Sequence, residues 1–171
     1  MLQRQRRRRL LNMRKDIVIS SRSPRNVTLD SNVLIQYVTS KKEGSMVRRA
    51  VLKSILEDRL QLTDIIFEEC VNRKRKSINK TCTEIAEILL ELPVEIIVLN
   101  PIPSIEELAE KYYIRDLDDL KILYSADMTN SVILVTEDHD FNDINGLKIT
   151  IMNISQYLFE TENSKKRGKR I

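Results

Sequence analysis

The 171-residue sequence is poor in glycine, cysteine and histidine, and it has no long apolar run. Three glycines argue against a β-sandwich rich in turns, and the glycine-rich loop of a P-loop enzyme is missing. No apolar stretch approaches the ~20 residues that cross a membrane, and the basic N-terminus lacks the apolar segment of a signal peptide. Cys70 and Cys82 form neither a CxxC pair nor a disulfide framework. We therefore expect a protein of the reducing cytoplasm with no membrane partner.

The net charge of +4 hides an uneven distribution along the chain. Residues 1–25 contain nine Lys/Arg and one acid, and residues 165–171 contain five basic residues and no acid, whereas the segment between them carries 15 basic and 24 acidic residues. A polyanionic partner held by the tails fits this division, and a solubilising tail fits it equally well. We predict a flexible basic tail over 1–25, one domain over 26–160 and a basic C-terminal tail over 161–171.

Hydrophobic periodicity predicts alternating short strands and amphipathic helices. Strands are expected at residues 27–29, 60–62, 94–99, 131–135 and 148–152, with a short closing helix at 154–159. The continuous apolar positions 96–98 are typical of a strand covered on both faces. The pattern predicts a three-layer α/β/α sandwich with a short, mainly parallel sheet of four to five strands.

Acidic residues stand where the first and the strongest of these strands end. Asp30 follows the first strand, and Asp138 follows the strand over 131–135, with Asp140 two residues later. Because ligands bind at the carboxyl edge of parallel sheets, we expect these carboxylates to meet there, joined by Glu69 and Asp119 from two helices. Each acid alone has an ordinary explanation as a cap, an exposed helix residue or a turn residue. Together they favour one site, where a hard cation would relieve their repulsion.

Three segments and one further acid resemble a known nuclease family. Leu29–Ile35, which contains Asp30 followed by Ser and Asn, resembles the opening motif of PIN-domain nucleases. Asp119–Ala126 is similar to the third acidic motif of that family, and Val132–Phe141 is similar to the fourth. Glu69 matches the second acidic position, and its neighbour Glu68 is the alternative. The resemblance covers about residues 26–160 in the order and spacing of the family, with Tyr124 at a position where the family usually has a small residue.

The resemblance implies a metal-dependent endoribonuclease that hydrolyses RNA phosphodiester bonds. One or two Mg²⁺ or Mn²⁺ ions would activate a water for in-line attack. The implied catalytic acids are Asp30, Glu69, Asp119 and Asp138. The implied metal ligands are Asp30, Asp119, Asp138 and Asp140, with Asn32 and Thr136 orienting the carboxylates or the water. The candidate RNA contacts are Arg73, Lys74, Arg75 and Lys76. An equally good explanation of this basic run is a solvated helix end, where the helix dipole favours positive charge.

Several functional alternatives remain at this point. As the toxin of a toxin–antitoxin pair, the protein would form a homodimer and bind a small antitoxin protein, whereas the long basic tails favour a nuclease of RNA processing. A catalytically inactive PIN-like scaffold that binds RNA or a protein is the alternative from another class, and the cluster of mutually repelling acids argues against it. A haloacid-type phosphatase needs a second aspartate where this chain has Asn32. The only histidine, His139, is expected to be a loop residue.

Overall fold

The computed structural model describes residues 23–72, 79–112, 116–143 and 148–167. Its centre is an all-parallel five-stranded sheet with the strand order β3-β2-β1-β4-β5. The strands are β1 (Asn26–Leu29), β2 (Arg59–Thr63), β3 (Ile96–Ile97), β4 (Ile133–Val135) and β5 (Thr150–Met152). The predicted α/β class and parallel sheet are confirmed.

Seven α-helices lie in the described parts of the chain and cover the sheet. They are α1 (Ser31–Thr39), α2 (Met46–Leu56), α3 (Asp64–Asn72), α4 (Cys82–Leu90), α5 (Ile105–Tyr112), α6 (Leu117–Met128) and α7 (Ile154–Arg167), and a 3₁₀ helix spans His139–Asp143. Helix α2 packs on α7, while α3 contacts α1, α4 and α6. None of these helices has both the length and the apolar character required to span a membrane.

The two central strands form the most deeply buried part of the sheet. Leu29 lies opposite Val135 in the β1–β4 register, and both side chains are fully buried. The ladder continues one residue further, because the Asp30 N–H donates to the Val135 carbonyl at 2.9 Å. The residues that follow β1 and β4 are therefore held side by side at the carboxyl edge of the sheet.

Strand β3 is shorter and more exposed than the sequence predicts. The expected strand over 94–99 is reduced to Ile96–Ile97, whose side chains are half-buried, and Val98 is 71% exposed. The reason is its place in the sheet: β3 pairs with β2 alone and forms an edge. The continuous apolar run over these residues therefore does not indicate a strand covered on both faces, and this part of the prediction is wrong.

A helix and side-chain contacts extend past both ends of the range 26–160 that is predicted for the domain. Helix α7 runs to Arg167, beyond the predicted end at 159, because a polar sequence continues the helix after its apolar residues. Arg25, which the sequence assigns to the tail, donates from Nη1 and Nη2 to the Glu160 carboxylate at 2.8 Å each. Its Nε donates to Asp58 Oδ1 at 3.3 Å. Arg25 thus belongs to the folded body, at the amino edge of the sheet, and residues 1–22 lie outside the described residues.

Candidate active site

Asp30 occupies the middle of the carboxyl edge and is only 4% exposed. It is the N-cap of α1, where its Oδ1 accepts from the Asn32 N–H at 3.4 Å. The closer contacts are on Oδ2, which accepts from Thr136 Oγ1 at 2.6 Å and from Asn32 Nδ2 at 2.7 Å. The two residues predicted to orient the acids therefore both hold the Asp30 carboxylate, which is at once a helix cap and part of the cluster.

Thr136 also connects Asp30 to the second acidic segment. Its Oγ1 accepts from the Asp138 N–H at 2.9 Å, and Asp138 Oδ1 in turn accepts from the Asp140 N–H at 3.1 Å. Both of these aspartates are exposed, and Asp140 lies in the 3₁₀ helix together with exposed His139. The chain after β4 is therefore folded back by its own side chains beside Asp30.

Glu69 reaches the site from α3 through Ser31, a residue for which no role was predicted. Ser31 Oγ donates to Glu69 Oε1 at 2.6 Å, and it lies 3.2 Å from Asp30 Oδ1. Glu69 is half-buried, whereas Glu68 is exposed. The side chain that faces the site is thus that of Glu69. The signal was present in the sequence, since Ser31 stands directly between Asp30 and Asn32.

Asp119 lies in the first turn of α6 and is not its cap. That role belongs to Asp116, whose Oδ1 accepts from the N–H groups of Asp118 at 2.8 Å and Asp119 at 3.3 Å. Burial is the largest cause that raises the pKa of Asp119 from 3.8 to about 7. Repulsion by four further carboxylates acts in the same direction: Asp116, Asp138, Asp30 and Asp140. Asp119 is therefore close enough to the two strand ends for their charges to disfavour its ionised form.

This raised pKa predicts how stability depends on pH. In the unfolded chain Asp119 loses its proton near its usual pKa, but in the folded protein it does so only near 7. Its stabilising contribution is therefore complete below about pH 4 and is lost as the pH rises towards 7. We expect Asp119→Asn to remove this loss, so that at pH 7.5 in EDTA it melts about 2–4 °C higher than the wild type, a difference of about 1 kcal/mol for a partly exposed group.

The measurement is a series of thermal melts in EDTA between pH 4.5 and 8. Asp118→Asn, which removes the same charge from the exposed neighbouring position, serves as the control. The difference in Tm between wild type and Asp119→Asn should grow with pH, whereas the difference for the control should stay nearly constant. Parallel curves for both variants would show that Asp119 does not experience the other carboxylates.

A family model supports the relation that the motifs suggest. The model of the PIN domain matches residues 27–147, which is more than half of the chain. The chain belongs to the PIN domain family. Members of this family are generally nucleases. The matched segment contains the five predicted site acids, which are Asp30, Glu69, Asp119, Asp138 and Asp140.

A solved structure shares the PIN fold of this chain. It is a chain of VapBC2 from Rickettsia felis, in a crystal structure with a DNA fragment from the promoter of that pair. The two chains are 18% identical, with a TM-score of 0.52, and the match covers 75% of this chain and 98% of the other. At this identity the match shows the fold alone. No curated protein matches the sequence.

The candidate site has donor atoms that suit a hard divalent cation. Its carboxylates supply only oxygen atoms, which Mg²⁺ and Mn²⁺ prefer. Within the described ranges, no three His, Cys, Asp or Glu residues lie close enough together to enclose an ion. Mg²⁺ keeps several waters and is bound through one or two carboxylates, so a closed protein cage is not required. Asn32 Oδ1 is also buried without a hydrogen-bond partner in the described structure, which is typical of a site that another group completes.

The structure brings most of the predicted site acids and their hydrogen-bond partners together. The structure places Asp30, Asn32, Thr136, Asp138 and Asp140 in one hydrogen-bonded set, to which Ser31 joins Glu69. It brings Asp119 within the electrostatic reach of that set. It does not assemble the four predicted ligands into a preformed cage, and their roles remain predictions.

The predicted RNA contacts Arg73, Lys74, Arg75 and Lys76 lie outside the described residues. Tyr124, at the position of a small residue, is buried and donates to the Pro101 carbonyl at 3.2 Å.

Proposed function

We propose that this PIN domain is a metal-dependent endoribonuclease that hydrolyses phosphodiester bonds of RNA. The observation that carries the proposal is the hydrogen-bonded set at the carboxyl edge, in which Thr136 joins Asp30 to Asp138. Burial and the nearby carboxylates together raise the pKa of Asp119 to about 7, so the charges of this set reach Asp119. Mutual repulsion of this kind costs stability, and active sites are where proteins accept such a cost. A divalent cation bound by these carboxylates would relieve their repulsion.

The proposed roles follow from the contacts of each acid. Asp30, Asp119, Asp138 and Asp140 would hold one or two Mg²⁺ or Mn²⁺ ions. When bound, such an ion lowers the pKa of a water and stabilises charge on the phosphate and the leaving oxygen. Thr136 and Asn32 fix the rotamer of Asp30 by two short hydrogen bonds. Ser31 does the same for Glu69, which we assign as the second catalytic acid.

The direct test is the metal dependence of RNA cleavage by the full chain. We expect cleavage of single-stranded RNA in Mn²⁺ or Mg²⁺ and a loss of at least about 100-fold when the ions are removed with EDTA, because in the proposed mechanism the bound ion activates the attacking water and stabilises the leaving oxygen. Re-addition of Mn²⁺ should restore the activity, which excludes damage by the chelator. Equal cleavage with and without EDTA would contradict the metal mechanism. RNA binding without any cleavage would favour the inactive scaffold.

For the biological setting we propose the toxin of a toxin–antitoxin pair, located in the cytoplasm, with a homodimer and a small antitoxin protein as partners. The support is the shared fold with a chain of VapBC2, which was solved with promoter DNA. The basic segments 1–25 and 165–171 support RNA processing instead, since they would add contacts to RNA phosphates. The test is to look for a small open reading frame beside the gene and to co-express its product. Suppression of RNA cleavage by that product would support the toxin role over RNA processing.

A further inference from the structure

A groove of about 390 Å³ opens at the same edge of the sheet as the acids. We call it the α1–α7 groove. Its walls come from the middle of α1, the start of α2, the chain after β4 and the start of α7. Its lining includes Gln36, Ser45, Met46, Glu137, Asn153 and Ser155.

Two elements that carry the acidic site also line the groove. Gln36 follows Asn32 by four residues on α1, which places it on the same face about 6 Å further along the helix axis. Glu137 stands directly between Thr136 and Asp138 in the chain after β4. A polymer whose phosphate lies at the carboxylates would therefore have a neighbouring unit over the α1–α7 groove.

The lining of the groove suits a nucleobase better than a phosphate. Among its lining residues in the described structure there is no lysine or arginine. Polar walls are supplied by the exposed amide of Gln36, the hydroxyl of Ser155 and the carboxylate of Glu137, and Met46, which is 43% exposed, adds an apolar surface. Single-stranded RNA is recognised by this combination, in which the face of a base packs on a side chain and its edge makes hydrogen bonds.

The walls are held in place before any ligand binds. Glu137 Oε1 accepts from the Ile154 N–H at 2.8 Å and so fixes the start of α7 to the chain after β4. Asn153 and Gln156 cap each other reciprocally at 2.7 and 2.8 Å. Ser45 is the N-cap of α2. Because these contacts are local and formed within the protein, binding would cost little ordering of the groove.

Basic residues stand beside the groove, where the backbone of the same RNA strand would run. Lys41 and Lys42 are exposed in the turn before α2. Arg48, one turn into α2, lies 5.3 Å from the ring centroid of Tyr37 and donates from Nη2 to the Ser40 carbonyl at 3.2 Å. With this arrangement the groove, which has no basic residue among its described lining, would contact a base, and the basic residues beside it would contact the phosphates.

We infer that the α1–α7 groove is the base-recognition subsite of the ribonuclease and takes one nucleobase of single-stranded RNA beside the scissile phosphate. The inference rests on the proposed function and adds to it the origin of sequence preference. Met46 provides the surface on which the base packs, and Gln36 reads its edge. The effect of changing either residue should therefore fall on KM and on the base preferred at one position next to the cut.

The test uses the full chain and a pool of single-stranded RNA with randomised central positions, cut in Mn²⁺ and read by sequencing the product ends. We expect a preference at one position next to the cut in the wild type. Met46→Ala and Gln36→Ala should each weaken it about 5–10-fold and raise KM for a preferred RNA by a similar factor. Gln61→Ala and Glu95→Gln are the controls. These two residues line a different groove of about 350 Å³, at the amino ends of β2 and β3 and so away from the acids.

The outcomes separate this inference from the ribonuclease proposal. If the wild type cuts RNA but the two groove variants keep its base preference, or the controls lose it equally, the subsite is wrong and the ribonuclease stands. The proposed subsite is also contradicted if the wild type cuts RNA without any base preference. In each of these cases a protein partner is the better explanation of the α1–α7 groove. If the wild type cuts no RNA in Mn²⁺, the ribonuclease proposal fails. Base preference is then read from binding of the same pool to wild type and Met46→Ala, and equal profiles overturn the subsite too.

Discussion

Asp30→Asn is expected to lower the rate of RNA cleavage by about 10³-fold or more while the protein stays folded. The carboxylate is the most central of the proposed ligands, and an amide at its place is a weak ligand without charge. The two short hydrogen bonds to Oδ2 can be kept. The amide oxygen can still accept from Thr136 and Asn32, and its NH₂ group can donate to the Ser31 hydroxyl, whose own proton is directed to Glu69 at 2.6 Å.

The same substitution should not lower the melting temperature in EDTA, and we expect a small rise. Removing the charge of Asp30 relieves part of the repulsion on Asp119, which outweighs the loss of the long cap contact from the Asn32 N–H at 3.4 Å. A clear fall in Tm together with the loss of activity would mean that Asp30 is mainly a structural cap. A rate within about tenfold of the wild type would contradict its role as a metal ligand.

Asp64→Asn is the matched control for this experiment. Asp64 also follows a parallel strand at the carboxyl edge and starts a helix, and its Oδ1 accepts from the N–H groups of Ile65 at 2.9 Å and Leu99 at 3.2 Å. It is half-buried, and it is not among the carboxylates that raise the pKa of Asp119. Cleavage by Asp64→Asn should stay within about threefold of the wild type, because the contacts that the substitution alters are to Ile65 and Leu99, which lie outside the proposed site.

The features that could be predicted from the sequence are those set by local patterns. Short buried strands are visible because their apolar residues are continuous. Asp30 and Asp138 are visible because the first directly follows such a strand and the second comes three residues after the end of one. The edge position of β3 could not be predicted, since an apolar run over 96–98 looks the same at an edge and at the centre. Strand order follows from the packing of helices far apart in the chain, which periodicity does not report.

The parts of the site that the sequence did not reveal depend on contacts between distant residues. The choice of Glu69 over Glu68 is made by the Ser31 hydroxyl, 38 residues earlier in the chain. The cap of α6 is Asp116 although Asp119 has the same side chain, because only Asp116 directs its Oδ1 to the N–H groups that follow it. Such choices are decided by three-dimensional geometry among chemically equal candidates.

Asp58→Ala is expected to destabilise the protein by about 3 kcal/mol, which corresponds to a fall in Tm of about 6–12 °C. The Asp58 side chain is fully buried at the amino edge, opposite to the acidic site. It accepts from Arg25 Nε at 3.3 Å and from Tyr157 Oη at 2.8 Å. Removing it leaves a partly buried guanidinium and a buried hydroxyl with fewer partners, and such losses cost far more than the pair itself contributes.

Asp127→Ala provides the comparison, because Asp127 also accepts from a cation and a tyrosine. Lys111 Nζ lies 2.7 Å from Asp127 Oδ2, and the two side chains are 53% and 37% exposed. Water can replace these contacts, so we expect a cost of about 0.5–1 kcal/mol. Thermal melts and urea unfolding of both variants measure the difference. Similar small costs would show that water also replaces the contacts of Asp58. A large cost for Asp58 alone, with RNA cleavage unchanged at 20 °C, would show that stability and chemistry reside at opposite edges of one sheet.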